Sequence, residues 1–188
     1  FFKDEDDDHI FQIPDDISLG TGEYIILSND TSSFSTFFPE INNILGDIGF
    51  GFSGGGELLR LYGSDSVLID TVLYDENNTN NLVDDLSGIG GPFAPDVSAG
   101  HSIARSTDCT ETNNDGSDWI DESSPTMGSA NITSSGGTSG GTTGGSGSCD
   151  STGAIINEFL ADPSGSDSGH EVVESDPIYL PFFDNFIC

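Results

Sequence analysis

Apolar residues in this chain fall in short runs separated by turn residues. Ile10-Phe11-Gln12-Ile13 stops at Pro14-Asp15-Asp16, and Tyr24-Ile25-Ile26-Leu27 stops at Ser28-Asn29-Asp30. Leu58-Leu59-Arg60-Leu61-Tyr62 is followed by Gly63-Ser64-Asp65-Ser66, and then by a second apolar run over 67–74. Four turn residues between two strand-length runs predict a β-hairpin. No long window carries a capped helical period; the best helical stretch, 37–45, is short. The pattern predicts an all-β fold of sandwich or barrel type.

Composition changes the picture at one place. Residues 134–148 contain only Ser, Gly and Thr, and such a tract buries too little apolar surface to offset its ordering entropy. It reads as a flexible linker with a mean span of roughly 20 Å and a stretched reach of about 50 Å. The chain is thereby divided into a β-rich segment 1–133, the linker 134–148, and a tail 149–188 whose apolar run covers 154–160.

Charge narrows the partners. The 188 residues carry 33 acids against Lys3, Arg60 and Arg105, a formal net charge of −30. No basic patch can form, so nucleic acid is not an expected partner, and anionic membranes repel the chain. No stretch approaches the roughly 18 apolar residues of a membrane span, which argues against a transmembrane protein. Self-repulsion of this charge predicts stability that rises with salt. Cys109, Cys149 and Cys188 allow one internal disulfide at most, and none stands in a CxxC motif. The start at Phe1, with no Met and no signal-like apolar region, leads to the expectation of a fragment of a longer polypeptide.

Five pieces of the chain, taken in order, resemble the lamin-tail domain of bacterial secreted proteins: "FFKDEDDDHIFQIPDD" from Phe1, "GEYIILSND" from Gly22, "GGELLRLYGSDSVLIDTVLYD" from Gly55, "GHSIAR" from Gly100 and "SDWIDESSPTMGSAN" from Ser117. The resemblance implies an immunoglobulin-like β-sandwich, in line with the strand pattern. It is incomplete: family members open with a strand carrying Ile-Asn-Glu-Phe, which is absent before Phe1. That strand stands instead after the linker, as "IINEFLADPSGSDSGHE" from Ile155, like the opening of a second repeat that diverges after 171. A sheet without its first strand has an open edge. The strand at 155–160 is therefore expected to fill that edge, in the same chain or by strand exchange with another copy.

Candidate chemistry is sparse. His9, His101 and His170 are scattered and outside any HExxH pair, so no catalytic set is marked. His101 is expected to pack or cap a turn, and the Asn157-Glu158 pair to satisfy backbone at a strand start. The glycine-rich stretch 49–57 lacks the Lys and the strand-to-helix setting of a phosphate loop. Trp119 is expected at the sandwich edge. The acidic run Asp4-Glu5-Asp6-Asp7-Asp8 is either a solvated turn or a site for divalent cations.

One spacing points to Ca2+. From Glu111, "ETNNDGSDWIDE" puts Glu111, Asn113, Asp115, Gly116 and Glu122 at positions 1, 3, 5, 6 and 12 of a calcium loop. Alternating oxygen ligands, a turn glycine and a closing carboxylate are what that chemistry needs. Against it, no amphipathic helices flank the loop and Asp118 takes the usual apolar position. The same residues suit a water-solvated Asn/Asp/Gly turn.

The expected function is that of a non-enzymatic extracellular or cell-surface module that spaces, anchors or attaches neighbouring domains. Its partners would be those domains, surface proteins or polysaccharide. The alternative is an accessory domain that binds polysaccharide or substrate for a secreted hydrolase such as a nuclease or phosphatase. The family resemblance carries much of both.

Overall fold

The structure, a computed structural model, describes residues 1–75, 80–82, 91–107, 109–126, 128–131, 154–161 and 186–187. The linker 134–148, His170, Cys149, Cys188 and most of the divergent tail lie outside the described residues.

Among the described residues, ten strands and two short helices follow one another: β1 (Phe2–Lys3), β2 (Ile10–Phe11), β3 (Ile25–Ser28), α1 (Thr31–Phe37), β4 (Ile44–Gly46), β5 (Leu58–Tyr62), β6 (Leu68–Leu73), β7 (Ser102–Arg105), α2 (Asp115–Asp118), β8 (Trp119–Glu122), β9 (Ile156–Phe159) and β10 (Phe186–Ile187). They form one sheet of order β2-β1-β5-β6 and another of order β4-β3-β10-β9-β7-β8. Neighbours are antiparallel except β3 and β4. The fold is all-β, and neither sheet closes into a barrel.

The hairpin at 58–73 forms where the turn residues predict it. Leu58 pairs with Leu73 and Leu61 with Asp70. Gly63 N–H bonds Val67 O at 2.9 Å, and Val67 N–H bonds Asp65 Oδ1 at 3.1 Å. A Cβ at Gly63 would stand 2.8 Å from that Asp65 oxygen, so the carboxylate that closes the turn would have to shift.

Alternation along the strands sorts the core. Ile25 and Leu27 of β3 meet Phe2, Leu59, Leu61 and Val72 from the other sheet, together with Ile103, Trp119, Ile156 and Phe159. Ile26 points to the opposite face, where Phe34 of α1 and Leu160 cover it. Covering on both faces is what leaves β3, β7 and β9 buried at every position.

The helix expected at 37–45 stands earlier. α1 ends at Phe37, and Ile44 and Leu45 belong to β4. Its start is fixed by Asp47, which accepts from both the Thr31 amide and the Thr31 hydroxyl at 2.9 Å. Asp30, whose carbonyl accepts from Phe34 N–H at 3.0 Å, stands at the N-cap and is a local signal for this start. Pro39 stops the helix two residues past its end. No helix among the described residues is long and apolar enough to cross a membrane.

The strand after the linker enters the sheet of the segment before it. β9 lies between β7 and β10, with Ile103 opposite Phe159 and Ala104 opposite Glu158. The edge expected to be open is filled from within the chain.

Candidate functional site

The densest set of buried polar groups surrounds β9. Asp70 on β6 lies on the same face as Val72, and Arg105 on β7 on the same face as Ile103, because strand side chains alternate. Both therefore point between the sheets, where they pair at 3.0 Å, each essentially inaccessible to solvent. The pair grips the backbone of β9. Ile156 N–H donates to Asp70 Oδ2 at 2.6 Å, and Arg105 Nε donates to Ile156 O at 2.6 Å. Arg105 also donates to Thr110 O, pairs with Glu111 Oε2, and lies over the Trp119 ring at 4.4 Å.

The next two residues of β9 are held through their side chains. Asn157 Oδ1 accepts from Cys109 N–H at 3.0 Å, and its Nδ2 donates to Asn131 Oδ1 at 3.0 Å. Asn131 Nδ2 in turn donates to the carbonyls of Arg105 and Asn157. Glu158 accepts from the Ser102 hydroxyl, at 2.5 Å, and from the amide and hydroxyl of Thr126. Burial raises the Glu158 carboxyl above its ordinary range, and these donors only partly offset it. The expectation that Asn157 and Glu158 satisfy backbone at a strand start agrees with this geometry.

Phe159 completes the clasp. Its ring lies 5.1 Å from Tyr74, 5.5 Å from Trp119 and 6.3 Å from Phe52, each close to edge-on. Trp119 is thus in the shared core rather than merely against an edge, although β8 is the last strand of its sheet. The physical reason is α2, a single helical turn that aims Trp119 inward and lets its Nε1 donate to Asp115 Oδ1 at 3.2 Å.

The calcium-loop residues are distributed around this clasp. Glu111 faces Arg105 and also accepts from the Asn113 amide. Asp115 is buried and accepts from Leu73 N–H at 2.8 Å, tying the loop to β6. Asn113 adopts the left-handed conformation, φ 57°. Glu122 sits at the far end of β8 and accepts from Ser124 N–H. Asp118 is pushed up by burial, but the hydroxyl and amide of Thr112 and the Asn114 amide outweigh this and hold its carboxyl below the usual range. Among the described residues, Glu111, Asp115 and Glu122 are not gathered into a group of the kind that holds a metal ion.

The acidic run at the start forms successive Asx turns. Asp4 accepts from Asp6 N–H and Asp6 from Asp8 N–H. Asp4 is buried and holds His9 Nδ1 at 2.7 Å, which raises the His9 imidazole above its ordinary value. Arg60 donates twice to Asp4 O and once to Asp7. Nearby, burial pushes Glu57 up to about 7, against the Ser53 amide and with Asp4 adding repulsion. His101 Nδ1 is hydrogen-bonded to Asp121 Oδ1 at 2.6 Å, and the His101 amide closes a turn on Ser98 O.

A shallow cleft of about 620 Å³ lies beside β4, where half-buried Tyr24 meets Asp16, Glu23, Asn42 and Asn43.

Asp70, Arg105, Ser102, Thr126 and Asn131 were not foreseen from sequence. Asp70 had a signal, a charge interrupting the apolar run 67–74 at an inward position. Compared with family models, curated proteins and solved structures, the chain matches none.

Proposed function

We propose that this chain is a non-enzymatic extracellular module of immunoglobulin-like, lamin-tail type that spaces and attaches neighbouring domains. The observation that carries this reading is the clasp on β9. It locks sequence from beyond the Ser/Gly/Thr run into the sheet formed by the preceding segment, so both sides of that run belong to one body. The charged groups that the fold gathers there serve to hold strands together. The disulfide at Cys109 fits an oxidising compartment, and the acidic surface fits a partner other than nucleic acid.

A fusion carrying a fluorescent protein at each end tests the reading. Energy transfer between them is expected to stay constant as ionic strength is raised to physiological values, and the chain to hydrolyse no phosphoester or glycoside. Turnover, or transfer that changes as in an unstructured connection, overturns it.

The cleft beside β4 favours a second reading, an accessory polysaccharide-binding domain. An aromatic face flanked by amides and carboxylates is suited to sugar hydroxyls. Saturable binding on a glycan array that Tyr24→Ala abolishes would establish it in place of the spacer.

A further inference from the structure

We propose that the cleft beside β4 is a binding site for a chain of protonated amino sugars. This assignment rests on the saccharide reading of that cleft and adds the charge its ligand must carry.

Two stretches of chain, 16–25 and 42–45, supply most of the cleft. Half-buried Tyr24, Ile44 and Leu45 give it an apolar lining, the kind of surface that takes the C–H face of a sugar ring. Asp16, Glu23, Asn42 and Asn43 stand exposed around that lining. Both amides have a donor already engaged: Asn42 Nδ2 donates to Glu40 O at 3.1 Å, and Asn43 Nδ2 donates to Tyr24 O. Each Oδ1 is left to accept. Glu23 Oε2 accepts from Gly20 N–H at 2.7 Å, which holds that carboxylate in place. The cleft thus presents chiefly acceptors, two carboxylates and two amide oxygens. The ligand that suits them carries donors around a ring.

Charge decides which ring. Among the described residues that line the cleft, none is Lys, Arg or His. The three strong cations of the chain are engaged elsewhere, Lys3 and Arg60 at the N-terminal turn and Arg105 between the sheets. An anionic glycan is therefore repelled by Asp16 and Glu23. A neutral one strips water from two carboxylates and returns no charge for it. An ammonium on the ring does return it, as a charge-assisted hydrogen bond to a carboxylate. A lysine-rich peptide also carries ammonium groups, but each is a point charge at the tip of a flexible stem. An amino sugar holds ammonium, hydroxyls and an apolar face together on one rigid ring, and so matches carboxylates, amide oxygens and apolar lining at once. The cleft volume of about 620 Å³ lies within the roughly 300–1,000 Å³ of ordinary ligand sites.

The test is calorimetric titration of the full chain at pH 6 and physiological salt. The probes are an oligomer of β-linked glucosamine, the same oligomer N-acetylated, and an oligolysine of equal charge. The glucosamine oligomer is expected to bind saturably, about 10-fold more tightly than either of the others. Asp16→Asn combined with Glu23→Gln is expected to weaken it by about 10-fold, while Gln keeps an acceptor for Gly20 N–H. Asp8→Asn combined with Asp96→Asn removes the same two charges from exposed positions outside the cleft. This control pair is expected to leave the affinity within about two-fold. An N-acetylated oligomer that binds as tightly as the amine overturns the assigned charge and leaves the saccharide reading standing. Oligolysine that binds as tightly as the glucosamine oligomer, or a control pair that weakens binding as much as the cleft pair, shows attraction to the net charge of −30 alone. Either result overturns the saccharide reading and the assignment with it, as does binding of neither oligomer.

Discussion

Arg105 and Arg60 are two of only three strong cations in the chain, and the fold uses them in opposite ways. Arg105 lies between the sheets, against a buried acid, a second carboxylate, two carbonyls and the Trp119 ring. Arg60 lies at the N-terminal turn, where it spends two bonds on the Asp4 carbonyl and reaches only the exposed Asp7 carboxylate. The acids respond accordingly. Around Arg105, Asp70 is buried beside a cation. Around Arg60, Glu57 is buried with neutral donors, the Ser53 amide and the Tyr74 hydroxyl, and its carboxyl rises to about 7. A scarce cation stabilises a strand in one region and leaves a neighbouring buried acid uncompensated in the other.

The sharpest way to break the contrast is to remove each guanidinium in turn. Arg105→Met leaves Asp70 buried without its cation and frees Ile156 O, and is expected to cost about 3–5 kcal/mol. Arg60→Met removes hydrogen bonds to a carbonyl and a solvated acid, and is expected to cost only about 1 kcal/mol. Urea unfolding at pH 7 gives both values. Equal losses would show that the two sites carry similar weight.

Next in size is the aromatic pocket of the clasp. Phe159→Ala leaves a void among Tyr74, Trp119 and Phe52 and is expected to cost about 3–4 kcal/mol. Ile10→Ala on the exposed side of β2 is expected to change stability by under about 0.5 kcal/mol. Thermal or urea unfolding reads the difference.

Much of the strand layout was legible because the rules behind it are local. Alternation and turn chemistry placed β3 and the β5–β6 hairpin, while the open edge that led to the docking of 155–160 came from the family resemblance. The clasp was less legible because it is assembled from five separated segments, and nothing near Ser102, Thr126 or Asn131 announces a partner on β9. Asp70 and Arg105 looked like ordinary strand charges until the sheets brought them face to face. The calcium spacing illustrates the converse. Its residues are regular in sequence, yet Asp115 turns to Leu73 N–H and Glu111 to Arg105, because buried donors nearby require acceptors.

The uncompensated acid gives the contrast a pH signature. Glu57 has its folded value raised above the unfolded one of 4.5, to about 7. The folded state therefore holds this proton more tightly. The stability it confers is present in full below about pH 4.5 and is lost as pH rises toward 7. Glu57→Gln keeps an acceptor for Ser53 and Tyr74 without the charge. It is expected to raise stability at pH 8 by about 2–3 kcal/mol and to change little at pH 4. Urea midpoints at pH 4, 6 and 8 check this. Glu158→Gln is expected to act in the same direction, since burial raises that carboxyl too.

Salt separates the two arginines most finely. Asp7 is held below the usual carboxylate range by Lys3 and Arg60 while itself standing in solvent, so its attraction is exposed to screening. The Debye length falls from about 10 Å at 0.1 M to about 3 Å at 1 M salt. A double-mutant cycle on Arg60 and Asp7 is therefore expected to show a small coupling at low salt that vanishes at 1 M. The Arg105–Asp70 pair is shielded from ions by the sheets on either side, and its coupling is expected to persist. The wild type as a whole should gain stability over the same range, because screening relieves the repulsion of a net charge of −30. Salt should thus strengthen the chain while erasing one ion pair and sparing the other. A coupling between Arg105 and Asp70 that falls in step with that of Arg60 and Asp7 would mean that water and ions reach the clasp, and the distinction between the two regions would fail.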